Sequence, residues 1–393
     1  MPLFLMLLAI GAPDETAVIQ RMINRCATGG VVMLPAGTHA VSTLQLKPHC
    51  AYLGATTGTT LVLRGKNSFL MDLSERSDIR ISGITFDADG QGGALLAQGF
   101  APVRAIHIEN CHFENVVSAA AYPANLTIFS SWGIIDSSFT GNRFTNVSGG
   151  IALTTVQNVT IEGNSFTDVT QSDAIFIAPN PVSFPSGEGL RIASNTGTGL
   201  AKMGVEIFRP DPPNGSRLTA PVIENNHFSR FVASNGEGMG LSITHGENAI
   251  VRGNVIDNSG GVHQENGIGI EIIVQGAQVI HNSVIGGFGY GIAVQGTRGA
   301  LIASNHIDGV RKEGILFACD NQRNRCDSSG SRVEDNVIGG TTVAGIHFQN
   351  RWGGSQVVNN TITFASGQGI QESTPREGSV VRDNTIAQKR GSR

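Results

Sequence analysis

One phrase recurs along the chain: glycine, apolar, any residue, apolar, then after a polar interval Asn, any residue, apolar. It is legible in "GMGLSITHGENAIVRGNVI", "GIGIEIIVQGAQVIHNSVI" and "GYGIAVQGTRGALIASNHI", and again in "EGILFACD…RVEDNVI", "AGIHFQN…QVVNNTI" and "QGIQES…VVRDNTI". The Asn signature marks Asn142, Asn164, Asn195, Asn226, Asn254, Asn282, Asn305, Asn336, Asn360 and Asn384. The glycine-apolar signature falls around Ile151, Ile175, Val205, Leu241, Ile270, Ile292, Ile315, Ile346 and Ile370. Each repeat therefore holds at least two short strands joined by turns. Alternation inside "GIGIEII" has period two, which sends alternate side chains inward, and the stretches are too short and too β-branched for a helical period.

Repeats of 22 to 31 residues with variable loops describe coils whose strands stack on the corresponding strands of the next coil. The predicted fold is all-β: a single-stranded right-handed parallel β-helix from about residue 30 onward, forming one domain over residues 13–393. The recurring Asn is read as a turn residue, tolerant of left-handed φ and able to bond its neighbours along a stacked ladder. Such a solenoid needs a cover over its first coil. "DETAVIQRMINRCA" supplies a short capping helix over residues 14–27, with Asp14 as its N-cap and Val18, Ile19, Met22, Ile23 and Cys26 on one face.

Composition adds constraints. Gly is 51 of 393 residues, charged residues are 15%, and the formal charge is −4. That leaves no basic face for nucleic acid, which is excluded as a partner. The apolar run from Leu3 to Ala12 is too short to span a bilayer. It reads either as a secretory-signal remnant, although the basic leading segment is missing and Pro13 follows Ala12, or as a buried first strand or cap. Cys319 and Cys326 bracket the insert "CDNQRNRC" and are expected to form a disulfide; Cys26 and Cys50 can pair as well, while Cys111, standing in the repeat's Asn position, reads as a buried thiol. An oxidising compartment, extracellular or periplasmic, follows.

The order "IGAPDETAVIQRMINRCATGGVVMLPAGTHAV", "LQLKPHCAYLGA", "ISGITFDADG" resembles the N-terminal part of the pectate lyase (pectin-lyase-like) superfamily of β-helix proteins. The likeness covers residues 10–90 by motif and the remainder as generic repeats. It implies an extracellular protein acting on polysaccharide or oligosaccharide, with the site in a groove along one sheet, and, from the tailspikes in that superfamily, a monomer or a trimer. The paired-Asp and His-Gly constellation of polygalacturonase-like hydrolases is absent, except that "SDAIFIA" resembles one piece of it, with Asp173 in the acidic position. The Asp-Pro-His motif of mannuronan epimerases is absent too.

Aligning the coils offers a route to the site that does not depend on family. In "GVEIF", "GLSIT", "GIEII", "GIAVQ", "GILFA", "GIHFQ" and "GIQES" the third letter lies between two inward residues and is expected to face solvent. That column reads Glu206, Ser242, Glu271, Ala293, Leu316, His347, Gln371. At about 4.8 Å per coil the two glutamates start about 10 Å apart, a separation from which side chains converge on the spacing of an inverting glycosidase, about 6.5–9.5 Å. Glu206 and Glu271 are the candidate acid and base, with Asp173 beside them. Arg209, Ser242 and His245 are candidates to bind sugar, and Asp211, Glu247, His263 and Glu265 lie in adjoining loops. A second set, Asp320, His347, Arg351 and Trp352, includes an indole able to stack on a sugar ring or to cover a coil edge. "FDADGQ" places Asp87 and Asp89 in what reads as a turn rather than a calcium loop, and nothing points to a metal or other cofactor.

Three functions fit. The acidic column favours a secreted glycoside hydrolase. Arg209 neutralising a sugar carboxylate while His245 takes the C5 proton describes a polysaccharide lyase or uronate C5-epimerase. A glycan binder without catalysis, making contact through Trp352, is the third.

Overall fold

The residue ahead of each recurring Asn turns the chain. Gly141, Gly163, Ser194, Asn225, Gly253, His281, Ser304, Asp335, Asn359 and Asp383 all adopt φ between about 54° and 64°. The Asn that follows each of them points inward and is buried through the first nine positions, Asn142 to Asn360. The expected left-handed turn thus sits one residue earlier than the Asn itself. What the Asn does is interior: Asn164 Oδ1 accepts from both the backbone N–H and the Nδ2 of Asn142, at 2.9 and 3.0 Å, and Asn195 does the same for Asn164. The pattern continues to Asn384. Each amide also donates to a backbone carbonyl, as Asn195 does to that of Ile161, so these buried groups are satisfied. Cys111 occupies the ladder's first position, its N–H donating to Asn142 Oδ1 at 3.0 Å, and burial pushes its thiol up to about 12.

The computed structural model describes residues 13–66, 68–116, 127–130, 132–179, 186–208, 217–233 and 238–388; residues 1–12 lie outside that set, and with them the two readings of the apolar start. Three long sheets, of 15, 14 and 13 strands, run the length of the molecule, and their strands among the described residues pair in parallel. A coil contributes one strand to each, for example Ile250–Arg252, Val255–Asp257 and Gln264–Ile272. Inward side chains stack between coils: Phe86, Phe113, Phe144 and Phe166 form a file with ring centroids 5.0, 4.9 and 4.6 Å apart. Further on, Phe228 fills the space left by Gly197 and Gly204, where an added Cβ would come within 2.7 and 2.5 Å of its ring.

The cap is a shorter helix than the periodicity predicts, Thr16–Asn24, with Glu15 as N-cap. Asp14 stands one residue further out and still serves the helix start, accepting from the Thr16 N–H at 2.8 Å. Ile19, Ile23 and Cys26 are buried; Val18, placed on the same face by sequence, is 47% exposed because the inward stripe is narrower than the run of apolar letters. Cys26 is disulfide-bonded to Cys50, tying the helix to the strand Cys50–Leu53, and Cys319 is bonded to Cys326. Asp87 accepts from the N–H of Asp89, which has φ 48°, so this pair forms a turn.

Candidate functional site

The outward column aligned from sequence is the observed register of the third sheet. Glu206 pairs with Ser242, Ser242 with Glu271, Glu271 with Ala293, Ala293 with Leu316, Leu316 with His347 and His347 with Gln371. Its accessibility departs from expectation: Glu206, Ser242 and Glu271 are 7%, 1% and 8% exposed. The reason is the cover above them. The disulfide-closed segment Cys319–Cys326 folds over the sheet, and its Asp320, Asn321, Gln322 and Arg323 join Glu206, Ser242, Thr244, Glu271 and Gln295 around a cleft of about 390 Å³. A larger hollow of about 1030 Å³, lined in part by Lys202, Asp168 and Asn266, shares Met203 and Met239 with it, so the two form one groove along the sheet.

Within the cleft the acids are held individually. Glu271 Oε2 accepts from Ser242 Oγ at 2.6 Å and its Oε1 from Gln295 Nε2 at 2.8 Å. Burial pushes the Glu271 carboxyl above its ordinary range; the Ser242 hydrogen bond opposes this and the nearby charge of Glu206 adds to it. Lys202, four residues before Glu206, sends Nζ to Glu206 Oε2 at 2.6 Å and to Asp173 Oδ2 at 3.1 Å. Asp173 is 3% exposed and its Oδ1 meets no donor. Burial, then the Glu206 carboxylate beside it, push the Asp173 carboxyl up to about 7 against the pull of Lys202. Close to neutral pH the Asp173–Glu206 pair therefore retains a proton, which gives the pair a donor where each carboxylate alone has none. On the far wall Arg323, its side chain 6% exposed, pairs with Asp320 at 3.2 Å and donates to the carbonyl of Thr244 at 3.2 Å.

The structure thus brings Asp173, Glu206, Ser242 and Glu271 together. Ser242, read as a sugar-binding hydroxyl, is spent on Glu271. His245, two residues past the strand Met239–Ile243, is 5% exposed and lines neither hollow. Arg209 and Asp211 lie outside the described residues. The second predicted set comes apart: Asp320 belongs to the Glu271 cleft, Arg351 pairs with Glu377 at 2.9 Å, and Trp352 is fully buried, stacked on Phe348 with centroids 4.1 Å apart. Trp352 therefore presents no face to a sugar; the aromatic file of the interior, Phe317, Phe348 and Trp352, claims it. Sequence reasoning missed Lys202, Gln295 and Arg323. The insert "CDNQRNRC" was the available signal for Arg323, but it yielded only its two cysteines and Asp320.

Comparison with known proteins bears first on the fold. A family model described as the right handed beta helix region matches residues 214–386. The fold is a right-handed parallel β-helix. No curated protein matches the β-helix in sequence. Among solved structures it is similar to the A-module of the mannuronan C-5 epimerase AlgE6 of Azotobacter vinelandii, at 18% identity over 96% of each chain with a TM-score of 0.58. It is similar also to PfbA, a surface adhesin of Streptococcus pneumoniae, at 12% identity over 96% of this chain and 88% of that one, TM-score 0.57. A third is the catalytic unit of a GH87 α-1,3-glucanase from Streptomyces thermodiastaticus, at 14% identity over 97% of this β-helix and 66% of that chain, TM-score 0.53. Identities this low establish shared architecture; chemistry has to be argued from the site.

Proposed function

We propose that the protein is a secreted glycoside hydrolase that cleaves a polysaccharide lying in the groove of the third sheet. The observation that carries this reading is that Glu206 and Glu271 line one cleft two coils apart, with a retained proton on the Asp173–Glu206 pair and two donors fixed on Glu271. Glu206, with Asp173 as its proton partner, donates to the glycosidic oxygen as the bond breaks. Glu271, oriented by Ser242 and Gln295, takes a proton from the water that attacks the sugar carbon. The groove continuing past Met203 and Met239 suits a polymer rather than a small sugar. Two disulfides suit an extracellular or periplasmic location, and folds of this kind serve an epimerase of mannuronan and an α-1,3-glucanase.

Lys202 and Arg323 favour a second reading, a uronate-directed lyase or epimerase, since either cation would offset a sugar carboxylate at the cleft. One assay separates these. Incubated with a panel of neutral and uronate polysaccharides, a hydrolase releases reducing ends without ultraviolet absorbance. A lyase produces both together, and an epimerase alters uronate composition without chain scission. Retention on immobilised glycan with none of these changes would leave a binder and overturn the enzymatic reading.

A further inference from the structure

Beyond the cleft, the outward column reaches His347 three coils after Glu271, about 14 Å along the helix axis. There a second polar chain of contacts is assembled. His347 Nδ1 lies 3.1 Å from Glu313 Oε1, and the two side chains are only 7% and 6% exposed. The other ring nitrogen, Nε2, lies 3.0 Å from the Oγ of Ser373, which is exposed on the outer face. A buried carboxylate at Nδ1 selects the tautomer with the proton on that nitrogen, which leaves Nε2 to accept from the hydroxyl. Polarity therefore runs in one direction, from exposed hydroxyl through buried base to buried carboxylate. That is the order a nucleophile, its base and the group orienting the base require. Gln371 is in register with His347 on the next coil, and Gln349 Nε2 lies 3.4 Å from His347 Nδ1.

We propose that Ser373, His347 and Glu313 form a second hydrolytic site, which cleaves O-acyl esters carried on sugar hydroxyls. The ester chemistry stands on these three residues alone; the sugar part rests on the glycan-binding reading of the groove above. Ser373 Oγ adds to the ester carbonyl carbon while His347 Nε2 takes the hydroxyl proton. The bond from that carbon to the sugar oxygen then breaks, and the sugar oxygen leaves with the proton from Nε2, so the acyl group stays on Ser373. Water repeats the exchange: its oxygen adds to the acyl carbon, its proton passes to Nε2 and then to Ser373 Oγ as the serine leaves. One ester and one water become one carboxylic acid and one sugar hydroxyl. Glu313 touches no reacting atom and acts as a positioning residue through His347. Because both sites lie on one column, a single acylated chain can be stripped of esters at one end of the groove and cut further along.

The intact protein is treated with a fluorophosphonate and mapped by peptide mass, and acetate release is followed from p-nitrophenyl acetate and from an acetylated xylan. The expected result is a covalent adduct on Ser373. Ser373→Ala, an exposed position that should melt with the parent, is expected to lower acetate release by about 10²-fold or more, and His347→Ala by a similar factor. Glu313→Gln is expected to lower the rate and displace its pH profile, a change that loss of packing alone would not give. An unmodified Ser373 with undiminished acetate release by Ser373→Ala would overturn the proposal. Cleavage of p-nitrophenyl acetate without acetate from the xylan, if repeated on other acetylated glycans, would overturn its sugar-ester part.

Discussion

The outer column of the third sheet changes character half-way along. Its earlier part runs Leu96, Phe129, Ala152 and Phe176, in register with one another, and Phe129 and Ala152 are buried with Phe69 in a small apolar cluster. The next coils place Glu206, Ser242 and Glu271 at the same backbone position and at nearly the depth of Phe129 and Ala152. Backbone and burial are shared, so the difference lies in the side chains and in what burial does to them. An apolar side chain removed from water stabilises the fold. A carboxyl removed from water holds its proton more tightly unless donors reach it, which is how the same covered surface becomes a store of protons at one stretch and a passive wall at the other.

The strongest way to break that comparison is to make the polar stretch neutral while keeping its shape. Glu206→Gln and Glu271→Gln are each expected to lower turnover on the identified polysaccharide by about 10²–10⁴-fold, with melting temperature held at or above that of the parent. Full activity in both variants would show the polar stretch to be as passive as the apolar one.

Next in size is a dependence on pH. Asp173 moves from an ordinary 3.8 to about 7 on folding. Between about pH 4 and pH 7 the folded chain therefore holds a proton that the unfolded chain has released, so this carboxyl's contribution to stability is present below the unfolded value and is lost as pH rises through the folded one. Melting temperature is expected to fall between pH 5 and pH 8, and turnover to decline as pH rises past about 7, where the Asp173–Glu206 pair gives up its proton. Asp173→Asn should flatten the stability change. Equal slopes for variant and parent would assign the proton elsewhere.

The smallest effect lies at the boundary between the two stretches, where the Lys202 ammonium stands 5.9 Å from the ring centroid of Phe176. Phe176→Leu removes the π-face and keeps the apolar cover, a change worth about 0.5–1 kcal/mol. Turnover is expected to shift by no more than a few-fold; a large loss would place substrate on the ring itself.

How much of this was legible before the structure follows from periodicity. The Gly-apolar-x-apolar phrase pins each strand's register, so the alignment of Glu206, Ser242 and Glu271 could be read directly, and the Asn signature marked the coils. Periodicity says nothing about what arrives from outside the coil. Arg323 reaches the cleft from an insert, Lys202 from the residue before a strand, and Ser373 from the residue after one. For the same reason the column looked solvated: alternation assigns a side chain to the outer face but does not reveal a cover over that face. Trp352 failed differently, since "NRWGG" has the letters of a loop while its indole belongs to a file of interior rings.

The amide ladder has a bearing on how such a molecule can change. Successive asparagines of the ladder are separated by anything from 22 to 31 residues, yet every link between two of them is made with the same two hydrogen bonds at 2.9–3.0 Å. The ladder works as a clutch plate: it locks the pitch of the shaft and is indifferent to the length of chain paid out between teeth. Loops on the outer face can then lengthen, shorten or be exchanged one at a time, as the insert between Cys319 and Cys326 stands alone on its coil, while the frame that aligns them keeps its spacing. A lineage built on such a frame can try new chemistry on its surface at little risk to its fold.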